Sequence, residues 1–215
     1  MKTTVVGFGD SLTYGYGVEI STGFMARLQK NLPMLYPSVP WNIVNSGVNG
    51  DTSREGLSRL QRDVLRHNPA IVTVLFGTND SAFVEYQYRT ITEYERNMSE
   101  IITKIQNHHN PAEHRDSSAS VLLITPPPVL DNVFMPYTTN KRLQPYCGII
   151  KKLSRELNCP LADFNTHMLE QSKGNLGYYL QEDGAHLSEK GYDCLYDFIL
   201  TFITHLITKN NLENR

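Results

Sequence analysis

Short apolar runs and longer amphipathic stretches alternate along nearly the whole chain. Residues 3–8, ending in Val5-Val6-Gly7-Phe8, read as a buried strand. Residues 22–32 carry Phe24, Met25, Leu28 and Leu32 at helical spacing, and Pro33 is expected to break that pattern. Trp41-Asn42-Ile43-Val44-Asn45 predicts a second strand, running into a Gly/Asn turn cluster over residues 46–52. Asp51 or Thr52 is placed to cap the next helix, where Leu57, Leu60, Val64 and Leu65 share a face and which Pro69 is expected to end. Residues 70–76, apolar except for Thr73, read as the clearest buried strand in the chain. Ile91, Tyr94, Met98, Ile101, Ile102 and Ile105 outline an amphipathic helix.

The polar residues 108–118 read as a loop, and residues 120–124 as a fourth strand stopped by Pro126-Pro127-Pro128. The apolar stretch 129–138 (Val129, Leu130, Phe134, Met135, Tyr137) shows no period and reads as a loop. Helix returns over residues 143–157 with Pro145 near its start, then a short fifth strand over 160–164 and a helix around Met168 and Leu169 that ends near Gly174. After a loop over 175–187, Ser188 caps a last helix with Tyr192, Leu195, Phe198, Ile199 and Phe202 on one side.

Five strands alternating with helices predict an α/β fold with a mainly parallel sheet and helices on both faces. Neither an internal repeat nor a linker divides the pattern, so a single domain over residues 1–215 is expected. Composition agrees. The chain has 215 residues, 40% hydrophobic and 20% charged, which suits one globular domain. A net charge of −2 without a basic block argues against nucleic acid or an anionic membrane as partner. Cys147, Cys159 and Cys194 are widely spaced and odd in number, which favours a reducing compartment. With no leader-like segment and no run of membrane-spanning length, the expected location is the cytoplasm.

Polar clusters follow the predicted strands directly: Gly9-Asp10-Ser11 the first, Gly47 and Asn49 the second, Asn79 the third. In an open parallel sheet these positions share the carboxyl edge, where such folds bind ligands. With strand order 2-1-3-4-5, the second, first and third strands are neighbours, and Gly47, Ser11 and Asn79 stand side by side. Ser11 at a strand exit is a candidate nucleophile, but serine needs a base. Of seven histidines, His67, His108, His109, His114 and His205 sit in polar or helix-end settings, and His167 reads as a helix-face residue. His186 differs: Asp183 precedes it by three residues in a Gly/Ala turn, a spacing that lets the carboxylate orient Nδ1–H while Nε2 faces a nucleophile. Backbone N–H groups of Ser11 and Gly47 and the Asn79 amide are the candidate oxyanion donors. Asp10 reads as a structural hydrogen-bonder, and Asp80 as a brace for its loop.

These residues resemble the SGNH hydrolases, also called GDSL esterases/lipases. The resembling blocks are Gly9-Asp10-Ser11-Leu12, Gly47 within residues 45–50, Gly77-Thr78-Asn79-Asp80, and Asp183-Gly184-Ala185-His186. The resemblance spans residues 5 to about 200 and implies a three-layer α/β/α sandwich. It also implies Ser11, Gly47, Asn79 and His186 as the catalytic set with Asp183 completing a triad, and no metal or other cofactor. Residues 123–128 look like the isoamyl acetate-hydrolysing branch, and the short layout is similar to thioesterase I/lysophospholipase L1-type enzymes.

The expected activity is hydrolysis of a small-molecule carboxylic ester with a short acyl group. The Gly-rich loop 14–17 and the apolar segment 129–138 are expected to shape the acyl pocket, with Tyr14, Val129, Phe134 and Tyr179 as its substrate-binding residues. Acyl-thioesters, lysophospholipids and acetylated sugars are alternative substrates. Two readings of other classes compete. In one, a metal-dependent phosphatase gathers a divalent ion on Asp10, Asp80, Asp183 and His186. In the other, a binding module keeps only the fold.

Overall fold

The computed structural model describes residues 2–108, 118–134 and 137–214. In chain order it contains β1 (Thr3–Gly9), α1 (Ser11–Tyr14), α2 (Phe24–Leu35), β2 (Trp41–Gly47), α3 (Ser53–Asp63), β3 (Ile71–Leu75) and α4 (Ile91–Gln106). Then follow β4 (Ser120–Ile124), α5 (Asp131–Phe134), α6 (Asn140–Glu156), β5 (Leu161–Ala162), α7 (Phe164–Ser172) and α8 (Glu189–Lys209). The strands pair in parallel in the order β2-β1-β3-β4-β5, as expected.

Because successive strand side chains point to opposite faces, each apolar run supplies two cores. Val5, Ile71, Leu122 and Ala162 pack against α2, α7 and α8; Val6, Val72, Val121 and Leu123 pack against α3, α4 and α6. The result is a three-layer sandwich whose strand ends converge on one edge.

Three boundaries differ from the sequence expectation. Pro33 does not break α2: it lies in the last turn, and the Tyr36 N–H closes the helix on the Leu32 carbonyl at 2.8 Å, with Leu32 fully buried beneath. There Pro33 forfeits one hydrogen bond near the end of the ladder rather than interrupting the middle. The helix before Pro69 ends earlier, at Asp63. A single 3₁₀ turn (Leu65–His67) and left-handed Asn68 complete the connection. Its start is settled in favour of Thr52, which forms a reciprocal capping box with Glu55. The apolar stretch 129–138 contains the one-turn α5. Most of the expected polar loop, residues 109–117, lies outside the described residues, as do Met135 and the side chain of Phe134.

Candidate active site

Ser11 is the first residue of α1. The Asp10 carboxylate caps that helix, accepting the Leu12 N–H at 2.9 Å, and Gly15 ends it in the left-handed region. Four residues therefore turn the chain sharply off β1 and present Ser11 at the sheet edge. Gly47 makes this possible from the neighbouring strand. A Cβ there would overlap the backbone of Thr13 and Tyr14, so glycine is required by close approach of α1, not by a turn conformation. Behind both strand ends lies buried Arg59. Its guanidinium donates to the Gly9 carbonyl (2.8 Å), the Ser46 carbonyl (2.8 Å) and Asp51 Oδ2 (2.6 Å), and stacks on Phe8.

The histidine arrives from the other end of the chain. Asp183 Oδ1 accepts the N–H groups of Ala185 (2.9 Å) and His186 (3.0 Å), folding the loop around left-handed Gly184. Its Oδ2 meets His186 Nδ1 at 2.5 Å, and His186 Nε2 lies 2.9 Å from Ser11 Oγ. Burial pushes the Asp183 carboxyl up, but the two N–H donors and the imidazole outweigh it and hold the group below its ordinary value. Asp183 therefore stays ionised where a serine hydrolase needs an orienting carboxylate.

Ser11 and His186 open into a cleft of about 270 Å³ lined also by Tyr16, Asn49, Gly50, Asn79, Gln87 and Tyr137. The Asn79 amide donates to the Asp51 carbonyl at 2.8 Å, and its oxygen accepts from Gln87 at 3.3 Å, which orients the side chain and leaves one amide hydrogen unused. Gly47 does not line the cleft. Its N–H already donates to Asn45 Oδ1 at 3.0 Å. Gly50 lines it instead: it sits at φ 80° in a turn closed by Asp51 N–H to the Val48 carbonyl (3.2 Å), and its own N–H has no acceptor among the described residues.

The expected pocket residues are also redistributed. Tyr14 is 56% exposed outside the cleft, and its carbonyl accepts from Asn45. Val129 is buried with Leu143, Cys147 and Ala185, and the adjacent Leu130 N–H donates to the Gly184 carbonyl at 2.8 Å. This segment supports the His186 loop from beneath. Tyr179 lies on a separate groove with His167 and Phe198. Phe134 contributes no described side chain.

The residues of the metal reading do not converge. Asp80 is fully buried and accepts from the Ser53 N–H (3.0 Å) and hydroxyl (2.5 Å), while Asp183 is committed to its own loop. Among the described residues no three His, Cys, Asp or Glu side chains are placed to hold an ion. Burial pushes both Asp10 and Asp80 up to about 7. Asp10 Oδ2, with the hydroxyls of Thr13 and Thr78, has no hydrogen-bond partner among the described residues.

The model of the GDSL-like Lipase/Acylhydrolase family matches residues 8–194. The chain belongs to that family. A lipase/acylhydrolase from Enterococcus faecalis shares the fold with a TM-score of 0.79 at 26% identity, covering 94% of this chain and 95% of the other. An acetylxylan esterase from Geobacillus stearothermophilus is 24% identical over 80% of this chain and 77% of its own length. Thioesterase 1/protease 1/lysophospholipase L1 from Escherichia coli (strain K12) is 23% identical over 97% and 86%. Of the lining residues in this acylhydrolase, Tyr16 and Tyr137 lie in the two stretches expected to shape the pocket, whereas Gly50 and Gln87 were missed by the sequence reading. Gly50 lies inside the turn cluster over residues 46–52, already marked by its glycines. Gln87 sits in a loop with no local signal and reaches the cleft only through tertiary packing.

Proposed function

We propose that this acylhydrolase cleaves carboxylic esters of short acyl groups by way of a covalent acyl-serine. The observation that carries the reading is the hydrogen-bonded line Asp183–His186–Ser11, at 2.5 and 2.9 Å, opening into a cleft. His186 takes the Ser11 proton as Oγ attacks the acyl carbon. Charge on the carbonyl oxygen is met by the N–H groups of Ser11 and Gly50 and the free hydrogen of the Asn79 amide. His186 then returns the proton to the leaving alcohol. A water, deprotonated by His186, attacks the acyl-serine, releasing the acid and restoring Ser11.

A cleft of about 270 Å³ is small for a ligand site, which favours acetyl to butyryl groups over long chains. The acetylxylan esterase among the relatives supports acetyl esters in particular. We place the enzyme in the cytoplasm. Three free cysteines, and the absence among described residues of a helix long and apolar enough to cross a membrane, support this.

The test is hydrolysis of p-nitrophenyl acetate, butyrate and decanoate, with and without EDTA, by wild type and Ser11→Ala. The expected result is EDTA-insensitive activity that falls with chain length and is abolished in Ser11→Ala. Activity that survives Ser11→Ala, or that prefers decanoate, contradicts the reading.

A further inference from the structure

Gln181 makes more contacts with the His186 loop than any mechanistic step requires. Its backbone N–H donates to the His186 carbonyl at 2.7 Å, and its carbonyl accepts the Gly184 N–H at 2.9 Å. Its side-chain Nε2 donates at 2.8 Å both to the Leu187 carbonyl and to the Tyr16 carbonyl, 165 residues away in sequence. The flanking residues Leu180 and Leu187 form an isolated antiparallel bridge, so Gln181 sits at the neck of the loop that carries Asp183 and His186.

On the far side, Gly17 adopts φ 76°, and a Cβ there would overlap the Gln181 amide. The chain thus leaves room at position 17 for this one side chain. What the contact fixes is visible in the neighbouring ring: the Tyr16 ring lies 4.5 Å from the His186 imidazole, centroid to centroid, tilted by 40°. Tyr16 is 44% exposed, so packing alone does not hold it there.

We propose that Gln181 is a positioning residue: by tying the Tyr16 carbonyl to the neck of the His186 loop it holds the Tyr16 ring against the imidazole and keeps Nε2 aimed at Ser11. This rests on Ser11 and His186 being the nucleophile and base. Asp183 fixes the imidazole along its Nδ1 edge, and Tyr16 limits its swing across the ring face. Neither Gln181 nor the Tyr16 hydroxyl takes a proton in the reaction. The expected loss therefore falls on turnover and not on substrate binding.

The test compares wild type, Gln181→Leu, Tyr16→Ala and the double variant on p-nitrophenyl acetate. Ser11→Ala serves as the control that reports on the esterase reading itself. Gln181→Leu is expected to lower kcat by about 10- to 100-fold with KM changed less than two-fold. In the Tyr16→Ala background the same substitution is expected to add almost nothing, because Gln181 acts through Tyr16. Gln181→Glu gives a second handle. An ionised carboxylate faces two carbonyls with no donor, whereas the protonated acid regains one, so its activity relative to wild type is expected to rise as pH falls from 8 to 5.

The low-field Nδ1 proton of His186, read by NMR, gives a readout independent of turnover. It is expected as a sharp resonance in wild type and a broadened one in Gln181→Leu. The proposal is overturned if Gln181→Leu keeps kcat within two-fold and the sharp resonance. It is equally overturned if the losses of Gln181→Leu and Tyr16→Ala multiply. Should Gln181→Leu fail to fold, the pH-dependent ratio for Gln181→Glu decides alone, a flat ratio refuting the proposal.

Discussion

The two halves of the candidate site are held in different ways. Ser11 stands on the fold itself. It is buried between β1 and α1, Leu12 beneath it is fully buried with its carbonyl accepting from Tyr192, and Arg59 locks the ends of β1 and β2 together. His186 stands on a loop without regular structure, with its side chain 23% exposed and Asp183 39% exposed. That loop is shaped mainly by hydrogen bonds from Asp183 and Gln181, with the small cluster around Val129 below. Damage at the Ser11 end should therefore appear as lost stability, and damage at the His186 end as lost turnover in a folded protein.

The largest expected effect is at the His186 end. Asp183→Asn leaves the loop's acceptor oxygen in place but removes the charge that orients the imidazole. By analogy with Ser-His-Asp triads in which the carboxylate is replaced by an amide, kcat should fall by roughly 10⁴-fold. The melting temperature should move by no more than a few degrees; a melt that collapses with kcat would erase the contrast. Arg59→Met is the matching test at the Ser11 end. It strips the donors from two buried carbonyls and leaves Asp51 without its cation, which should cost about 3–5 kcal/mol in chemical denaturation. A loss under about 1 kcal/mol would mean that the strand ends are held by sheet pairing alone.

Asn79→Ala sits between the two regions. Loss of one oxyanion donor should lower kcat by roughly 10²–10³-fold, or about 3–4 kcal/mol. Because the amide also holds the Asp51 carbonyl, a smaller stability loss should accompany it. The last test concerns pH. Asp10 rises in the folded protein from 3.8 to about 7, so the stability it contributes is complete below pH 3.8 and is lost as pH rises through about 7. Asn in its place keeps the cap on Leu12 and cannot ionise. Measured from pH 4 to 8, the stability difference should move toward Asp10→Asn by about 1.4 kcal/mol per pH unit up to about pH 7 and level off above it. A difference that stays flat would mean Asp10 is ionised in the folded state.

The same contrast explains what was legible in the sequence. The strands were readable because each carries an apolar stretch stopped by small polar residues or prolines, and Asp183-x-x-His186 was readable because its hydrogen bonds are local. Arg59 was not, since on α3 it reads as a surface charge beside Asp63. Only the folded chain turns it inward beneath two strand ends. Gly47 and Gly50 stand three residues apart, and both read as turn glycines. Their roles separate only once α1 lies against one and the cleft opens at the other. Val129 and Tyr179 are apolar residues near the site in sequence terms, and packing sends one beneath the His186 loop and the other to a separate groove.

The central claim is that Ser11, activated by His186, forms the acyl-enzyme. The most direct measurement is labelling with a fluorophosphonate followed by peptide mass spectrometry. The account predicts a single modified residue, Ser11, with labelling that is greatly slowed in His186→Ala and absent in Ser11→Ala. Modification of a different residue, or labelling of Ser11 at an unchanged rate in His186→Ala, would contradict it.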